Sequence, residues 1–383
     1  MAVRDITVLI IGGGTGGHIS PGIAIYEEMK GMGVNVLFLT GARDRRFSVG
    51  DDVAEGDLHY YGAPAFTKNI IKLPFFLIRF LAAMIKSWGI IRKHRVSAVI
   101  GMGGYVSAPC LVSAVLSKTP VFLCEQNSIP GKVTSLFEKH ARRIYGTFDA
   151  SRDYLKFRDR FIHAGNPMRK NIFGGTGIGE AKKAFNLSHC RKIVLVLGGS
   201  QGAMRINDLI IGLKKEFREE FKEIGFIWST GSLAYEKYKA LAHDSADEGS
   251  IYISPYIKKM GLAYRACNIA ISRAGAGVML ELAAMGIPSI LIPYPFSAMG
   301  HQEMNAEVFA RGGASCKVSD AEAVPSRIAP MILKMLGNER VMNNMSDRAL
   351  ALSKKDATSA IASDIIFCIS GNGQEDKSAP VQR

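Results

Sequence analysis

The residues of this chain that could do chemistry sit in short stretches that each follow a run of β-branched and aliphatic residues. The first is Gly12-x-Gly14-x-x-Gly17, followed at once by His18. Glycines in that pattern let backbone amides approach a phosphate at a helix N-terminus. An imidazole beside them titrates near neutrality and can take a proton from an alcohol. A nicotinamide dinucleotide would also want an acid near the end of the second strand to hold its ribose, and Leu39-Thr40-Gly41-Ala42-Arg43 offers none. Taken alone, the loop also suits a tight strand-to-helix turn with a capping or core histidine.

Further along, Glu125-Gln126-Asn127-Ser128 leads into Pro130-Gly131, a run of hydrogen-bonding side chains in a ligand-loop setting or an ordinary solvated turn. In the second half, Gly198-Gly199-Ser200-Gln201-Gly202 can present amides and a hydroxyl to a phosphate, and Arg169 carries a charge that could reach the same anion. The stretch from Arg273 to Glu281 is a second small-residue loop entering a helix, with Glu281 expected a little over two turns in. There Glu281 is a candidate acceptor for vicinal ribose hydroxyls, or one half of a structural ion pair. Pro293-Tyr294-Pro295 and His301-Gln302 follow the next apolar run.

Elements that would position these groups are legible as alternation. Apolar runs at 6–11, 34–40, 98–100, 121–123 and 144–145, then 193–197, 226–229, 251–253, 269–271 and 289–292, alternate with amphipathic segments. Such runs are strands buried on both faces, and alternating β and α implies parallel, doubly wound sheets. Because the strand and glycine-turn pattern restarts at 193, two Rossmann-like α/β domains are expected: an N-terminal domain over 1–163 and a C-terminal one over 164–340. A helix within 341–370 is expected to pack back on the first domain, and a polar disordered tail over 371–383 follows.

The chain has 383 residues with 48 Lys and Arg against 34 Asp and Glu, a net charge of +14. Between Asp57 and Glu125 no acid occurs, while eight Lys and Arg do. A helix from Pro74 to about Arg95 places Arg79, Lys86 and Lys93 in one basic stripe, with Phe75, Phe76, Phe80 and Trp88 as apolar bulk beside it. That composition suits reversible attachment to an anionic bilayer surface, or a core helix with a solvated edge. No recognition motif supports nucleic acid as the target of the charge. The uncharged run at 96–117 is broken by Gly103-Gly104 and Pro109 and reads as strand, turn and helix instead of a membrane span. Scattered cysteines without metal spacing and the absence of a secretory leader point to a reduced, cytosolic setting.

Taken in order, Gly-Gly-Thr-Gly-Gly-His, Gly-Met-Gly-Gly-Tyr-Val-Ser, Glu-Gln-Asn, Gly-Asn-Pro-x-Arg, Gly-Gly-Ser-Gln-Gly-Ala, the Arg273 to Glu281 loop and the Pro293 to Gln302 region resemble the MurG family. These are UDP-N-acetylglucosamine:N-acetylmuramyl-(pentapeptide) pyrophosphoryl-undecaprenol N-acetylglucosamine transferases of peptidoglycan synthesis. The resemblance implies a GT-B fold, two Rossmann-like domains facing a cleft, with the acceptor on the first and the nucleotide sugar mainly on the second. It implies an inverting transfer of N-acetylglucosamine from UDP-GlcNAc to the 4-hydroxyl of a polyprenyl-diphosphate-linked muramyl pentapeptide, at the cytoplasmic face of the membrane.

Carried over by motif, donor contacts fall on Thr15, Gly16, Gly17, Asn127, Arg169, Ser200, Ile257, Ala276, Gly277, Val278, Met279, Leu280, Glu281 and Gln302. The resemblance puts uracil near the Ile257 backbone, ribose on Glu281, diphosphate at Ser200 and the sugar at Gln302. His18, Tyr105 and Glu125 face the acceptor, with the base among them undecided. Four positions depart from the family pattern, Cys124, Thr134, Ala274 and Val278, each replacing a commoner hydrogen-bonding residue or changing its reach. No protein-bound metal or cofactor is implied, since no Asp-x-Asp pair ends a strand in the second half, and magnesium on the lipid diphosphate stays compatible. Within the same fold, a lipid glycosyltransferase, a UDP-sugar 2-epimerase or a non-catalytic nucleotide-sugar-binding protein are the alternatives.

Overall fold

The computed structural model describes residues 3–47, 49–65, 69–199, 202–243 and 250–371. The chain divides into two compact units, one made of Met1–Arg169 with the segment from Lys355 onward, the other of Lys170–Lys354.

In the first unit a seven-stranded sheet is formed by β1 (Thr7–Ile11), β2 (Asn35–Gly41), β3 (Leu58–Tyr61), β4 (Ala98–Gly101), β5 (Val121–Glu125), β6 (Ala141–Gly146) and β7 (Phe161–His163). Its order is β3-β2-β1-β4-β5-β6-β7, and every pairing is parallel. Strand β1 lies at the centre because Val8, Leu9, Ile10 and Ile11 are apolar on both faces. Val8 and Ile10 pack with α1 (Gly16–Gly31), while Leu9 and Ile11 pack with α2 (Leu73–Lys93) and α3 (Ala108–Leu116). Helix α4 (Lys132–Phe137) follows β5. Strand order reverses between β1 and β4, the switch point where ligands bind in open α/β sheets.

The second unit holds β8 (Lys192–Leu197), β9 (Ile224–Ser229), β10 (Ile251–Ser254), β11 (Ile269–Ser272), β12 (Ser289–Leu291) and β13 (Ser315–Lys317) in the parallel order β10-β9-β8-β11-β12-β13. Its helices are α5 (Ile178–Lys183), α6 (Met204–Glu216), α7 (Tyr235–His243), α8 (Met260–Ala266), α9 (Ala276–Ala284), α10 (His301–Arg311), α11 (Pro325–Leu336) and α12 (Glu339–Ala351). Here the order reverses between β8 and β11. The buried Asn207 of α6 is satisfied on both sides of its amide, donating to Thr230 O at 3.0 Å and accepting from Trp228 Nε1 at 2.9 Å, as a polar group in a core must be.

The last helix, α13 (Ala357–Ile369), belongs to the first unit. Ile361, Ala362 and Ile365 complete the α1 face of its core, Asp364 accepts from Tyr145 Oη at 2.5 Å, and Arg142 donates to Cys368 O at 2.9 Å. The expected boundaries shift accordingly. The chain leaves the first unit after Arg169 instead of after His163, because Met168 is pinned to Thr358 by two hydrogen bonds, from Met168 N at 2.9 Å and to Met168 O at 3.0 Å. The stretch expected as one closing helix is two, and α12 stays with the second unit by packing on α9 and α11. Strands β3, β7 and β13 were not expected. The expected tail beyond Gly371 lies outside the described residues, as does Ser200.

Candidate active site

In the first unit three loops leave the carboxyl ends of adjacent strands β1, β4 and β5. The β1 loop turns through Gly14 at φ +85°, a backbone conformation that glycine alone adopts without strain. Thr15 stands at the N-cap of α1, but its hydroxyl does not cap the helix. It pairs instead with Nδ1 of His18, three residues on, at 2.9 Å. The β4 loop comes close to this histidine: a Cβ on Gly104, at φ +73°, would lie 2.9 Å from Gly13 O and 3.2 Å from His18 Nδ1, and one on Gly103 would lie 3.3 Å from His18 Nε2. Only glycines let that backbone approach the ring. Tyr105 follows, its ring edge 3.3 Å from where a Cβ on Gly14 would stand.

Beneath the β1 loop lies a residue the sequence reading missed. Asp44 is buried, and its carboxylate accepts from Gly14 N on both oxygens at 3.0 Å, from Thr40 Oγ1 at 3.0 Å and from Gly41 N at 3.1 Å. An acid does follow the second strand, then, three residues past its last residue, Gly41. It braces the glycine loop from inside. A Cβ on Gly13 would fall 2.3 Å from its Oδ2, so this position has no room for a side chain.

Glu125, expected among the base candidates, has a different occupation. It is 4% exposed, its Oε1 accepts from Asn127 N at 3.0 Å and Asn127 Nδ2 at 3.2 Å, and its Oε2 accepts from Gly131 N at 2.8 Å and Thr134 Oγ1 at 2.6 Å. Four donors on one carboxylate fold the loop over 125–134 around it. Thr134, a departure from the family pattern, supplies the shortest of these bonds. Cys124 is buried, and burial pushes its thiol far up from its ordinary range, so it remains a neutral packing residue.

Arg169, expected to reach the donor's anion, is engaged within its own unit. Its Nη2 donates to Glu27 Oε1 at 2.7 Å and Asp52 Oδ1 at 2.6 Å, and its Nε to Glu27 Oε1 at 3.1 Å. Two carboxylates of its own unit already match its charge and raise its pKa against the effect of burial. These bonds make it a clamp at the point where the chain leaves the first unit.

In the second unit, Gly198 and Gly199 leave β8, and a Cβ on Gly202 would strike Thr230 O, so this loop packs backbone on backbone. Helix α9 begins at Ala276 behind Gly275, with no side chain capping its first amides. Those amides and the helix dipole favour an anion. The helix start places Glu281 in its second turn, nearer the N-terminus than expected. Gly277, Val278 and Glu281 share the accessible face, whereas Met279 and Leu280 are buried and cannot meet a ligand with their side chains. Ile257 is buried too, so only its backbone is on offer. Arg273 holds the end of β12 in place, donating from Nη1 to Ile292 O and Pro293 O at 3.1 Å and to Asp320 Oδ1 at 2.5 Å. Gln302 Oε1 accepts from Tyr294 N at 2.9 Å, which ties α10 to the loop after β12. Asn305 of the same helix donates to Ala274 O at 3.4 Å.

Two parallel-sheet units, each with a glycine-rich first loop at its switch point, are the architecture of GT-B glycosyltransferases. The glycosyltransferase family 28 N-terminal domain matches residues 8–146, and the family 28 C-terminal domain matches 193–361. The chain belongs to glycosyltransferase family 28 and, within it, to the MurG family. It is 34% identical over 365 residues to a UDP-N-acetylglucosamine--N-acetylmuramyl-(pentapeptide) pyrophosphoryl-undecaprenol N-acetylglucosamine transferase of Christiangramia forsetii, covering 94% of this chain and 97% of that one. With the enzyme of the same name from Chlorobium phaeobacteroides it shares 31% identity, covering 94% and 99%. Among solved structures, MurG of Acinetobacter baumannii superposes with a TM-score of 0.70 at 22% identity, over 94% and 98% of the two chains. A UDP-N-acetylglucosamine 2-epimerase has a TM-score of 0.69 at 13% identity over 98% and 99%, a likeness of fold alone.

Proposed function

We infer that this protein transfers N-acetylglucosamine from UDP-N-acetylglucosamine to an N-acetylmuramyl-pentapeptide carried on a polyprenyl diphosphate, the substrates in the names of its relatives, and that the acceptor group is the muramyl 4-hydroxyl. The second unit takes the nucleotide: uracil along the backbone at Ile257, ribose hydroxyls on Glu281, diphosphate at the open N-terminus of α9 and the β8 loop around Ser200. The first unit takes the acceptor. Its hydroxyl oxygen forms the new bond to C1 of the donor sugar, the C1 bond to the diphosphate oxygen breaks, and UDP leaves with that electron pair. Inversion at C1 follows from a single displacement.

His18 receives the proton. The observation that supports this assignment is its placement: His18 follows the glycine turn at the carboxyl end of β1, its ring oriented by the contact of Nδ1 with Thr15 Oγ1 at 2.9 Å, and an imidazole is the commonest general base. Glu125, by contrast, already accepts four hydrogen bonds, and a base must be able to meet the proton it takes. Charge on the leaving diphosphate is met by fixed amides and the α9 dipole, so the reading calls for no protein-bound metal. Thr15, Gly16, Gly17, Asn127 and Tyr105 line the first unit's loops, and Gln302 the second unit's.

The substrate's lipid requires access to a bilayer, and α2 suits it. By length and composition this helix is long and apolar enough to cross a membrane, yet Ala83, Ser87, Ile90 and Ile91 are buried along one side and dock it on its own unit. The rest of its surface exposes Phe75, Leu77, Ile78, Leu81, Ile85 and Trp88, with Arg79, Lys86 and Lys93 exposed along the flank, where Lys86 Nζ donates to Tyr60 O at 2.7 Å, while Phe76 and Phe80 are half-buried against each other. A helix docked on one face and apolar with cations on the other lies on an anionic surface.

The test is direct. UDP-N-acetylglucosamine mixed with a short-chain analogue of the lipid acceptor should release UDP. Donor binding without UDP release would overturn the reading. For the surface, charge reversal of Arg79, Lys86 and Lys93 should free the protein from anionic vesicles, and unaltered binding would make α2 an ordinary packing helix.

A further inference from the structure

Glu281 does not stand alone on α9. Tyr264, in α8, donates from Oη to Glu281 Oε2 at 2.5 Å. The tyrosine is 2% exposed, its ring packed inside the second unit. Helix α8 is itself fixed: a Cβ on Gly261 would lie 2.6 Å from Asn171 O, so the helix rests on backbone, and Arg265 Nε donates to Thr176 O at 3.1 Å.

We propose that Tyr264 is a positioning residue that presets the Glu281 carboxylate for a vicinal diol, and so makes the site select ribonucleotide over 2′-deoxyribonucleotide diphosphates. This rests on the reading of Glu281 as the ribose acceptor. A glutamate side chain has three rotatable bonds, and ordering it on binding costs conformational entropy. A buried phenol on a fixed helix removes that cost beforehand by holding one oxygen in place. A carboxylate has about four acceptor positions over its two oxygens, so a group oriented by the phenol has the capacity to accept from two adjacent hydroxyls. Burial and the neighbouring carboxylate push the Tyr264 pKa well above its ordinary value, so the phenol keeps its proton and stays a donor at neutral pH. Because the donor is uncharged and enclosed, its contribution also persists in salt.

Tyr264→Phe removes the hydroxyl and keeps the ring. In calorimetric titrations of the full-length protein with UDP and with 2′-deoxy-UDP, the wild type should favour UDP. The Phe variant should lose about tenfold in UDP affinity, a loss of the size expected for one charge-assisted hydrogen bond, and little for 2′-deoxy-UDP, so the ratio collapses. In turnover the KM for UDP-N-acetylglucosamine rises while kcat stays within about twofold, a split that general destabilisation by lost packing would not produce. Glu281→Gln separates the two claims. If it leaves the UDP to 2′-deoxy-UDP ratio unchanged, the ribose reading of Glu281 falls. If it collapses the ratio and Tyr264→Phe does not, the ribose reading stands and the proposal for Tyr264 is overturned. Glu281→Asp provides a check that leaves the core untouched: the carboxylate is kept but drawn one methylene away from the phenol. The proposal expects its ratio to fall as well, and a fully retained ratio would count against it.

Discussion

Glu125 and Glu281 each sit just beyond a buried parallel strand, at the end of the sheet where ligands bind, and the protein uses them in opposite ways. Glu125 ends β5 in the first unit and is saturated by two backbone amides, an amide side chain and a hydroxyl. Glu281 stands on the accessible face of α9 in the second unit, where a buried phenol from another helix, α8, holds one of its oxygens. A carboxylate surrounded by donors from its own loop is a brace, and its loss is felt as lost structure. A carboxylate steadied on one oxygen presents itself to a ligand, and its loss is felt as lost affinity. Residue type does not separate the two; the origin of the donors does, the carboxylate's own loop in one case and a different helix in the other.

The sharpest challenge to this contrast is the proton. If neither glutamate is the base, His18→Ala should lower kcat by about 10²–10⁴, the usual worth of a positioned general base, with UDP affinity unchanged by titration calorimetry. Near-normal turnover would mean that the Glu125 network opens during catalysis. Next comes Glu125→Ala, which leaves buried amides and the Thr134 hydroxyl without an acceptor. It should cost about 2–4 kcal/mol of stability in denaturant unfolding and raise the KM for the acceptor, leaving donor binding intact. Glu281→Gln should show the reverse pattern: a melting temperature near that of the wild type and about tenfold weaker UDP binding. The finest cut is Thr134→Val, which removes one of the four donors around Glu125. A loss of about 1 kcal/mol is expected from chemical denaturation, and a neutral result would mean that the remaining three donors carry the brace.

Much of this was legible in the sequence, for a physical reason. Strands buried on both faces are written as unbroken apolar runs, and the loops that matter follow them, so β1, β4, β5, β8 and β11 and their glycine turns could be placed. Edge strands leave weaker traces. Strand β3 reads Leu-His-Tyr-Tyr, half-buried through most of its length, and β13 is only Ser-Cys-Lys. Contacts between residues distant in sequence were hidden altogether. The ion pairs of Arg169 could not be read from the sequence because its partners Glu27 and Asp52 lie 142 and 117 residues away. Asp44 was missed because it lies past the strand end, in a short 3-10 turn that doubles back under the glycine loop. Met279 and Leu280 belonged to a motif by sequence, but helical periodicity sends them into the core.

The docking of α13 on the first unit has a consequence for how the protein is made. Ile361, Ala362 and Ile365 fill the same core as β1 and α1, so the unit that begins at the N-terminus cannot be completed until the far end of the chain has been synthesised. From Arg169 to Ile361 a ribosome needs roughly 10–40 s at about 5–20 residues per second. Nearly all of that interval goes into synthesising the second unit, whose continuous sequence ends at Lys354. The nascent first unit meanwhile exposes the apolar seat of α13, which makes it the client for chaperones. A stop codon shortly before Lys355 would leave that seat permanently uncovered.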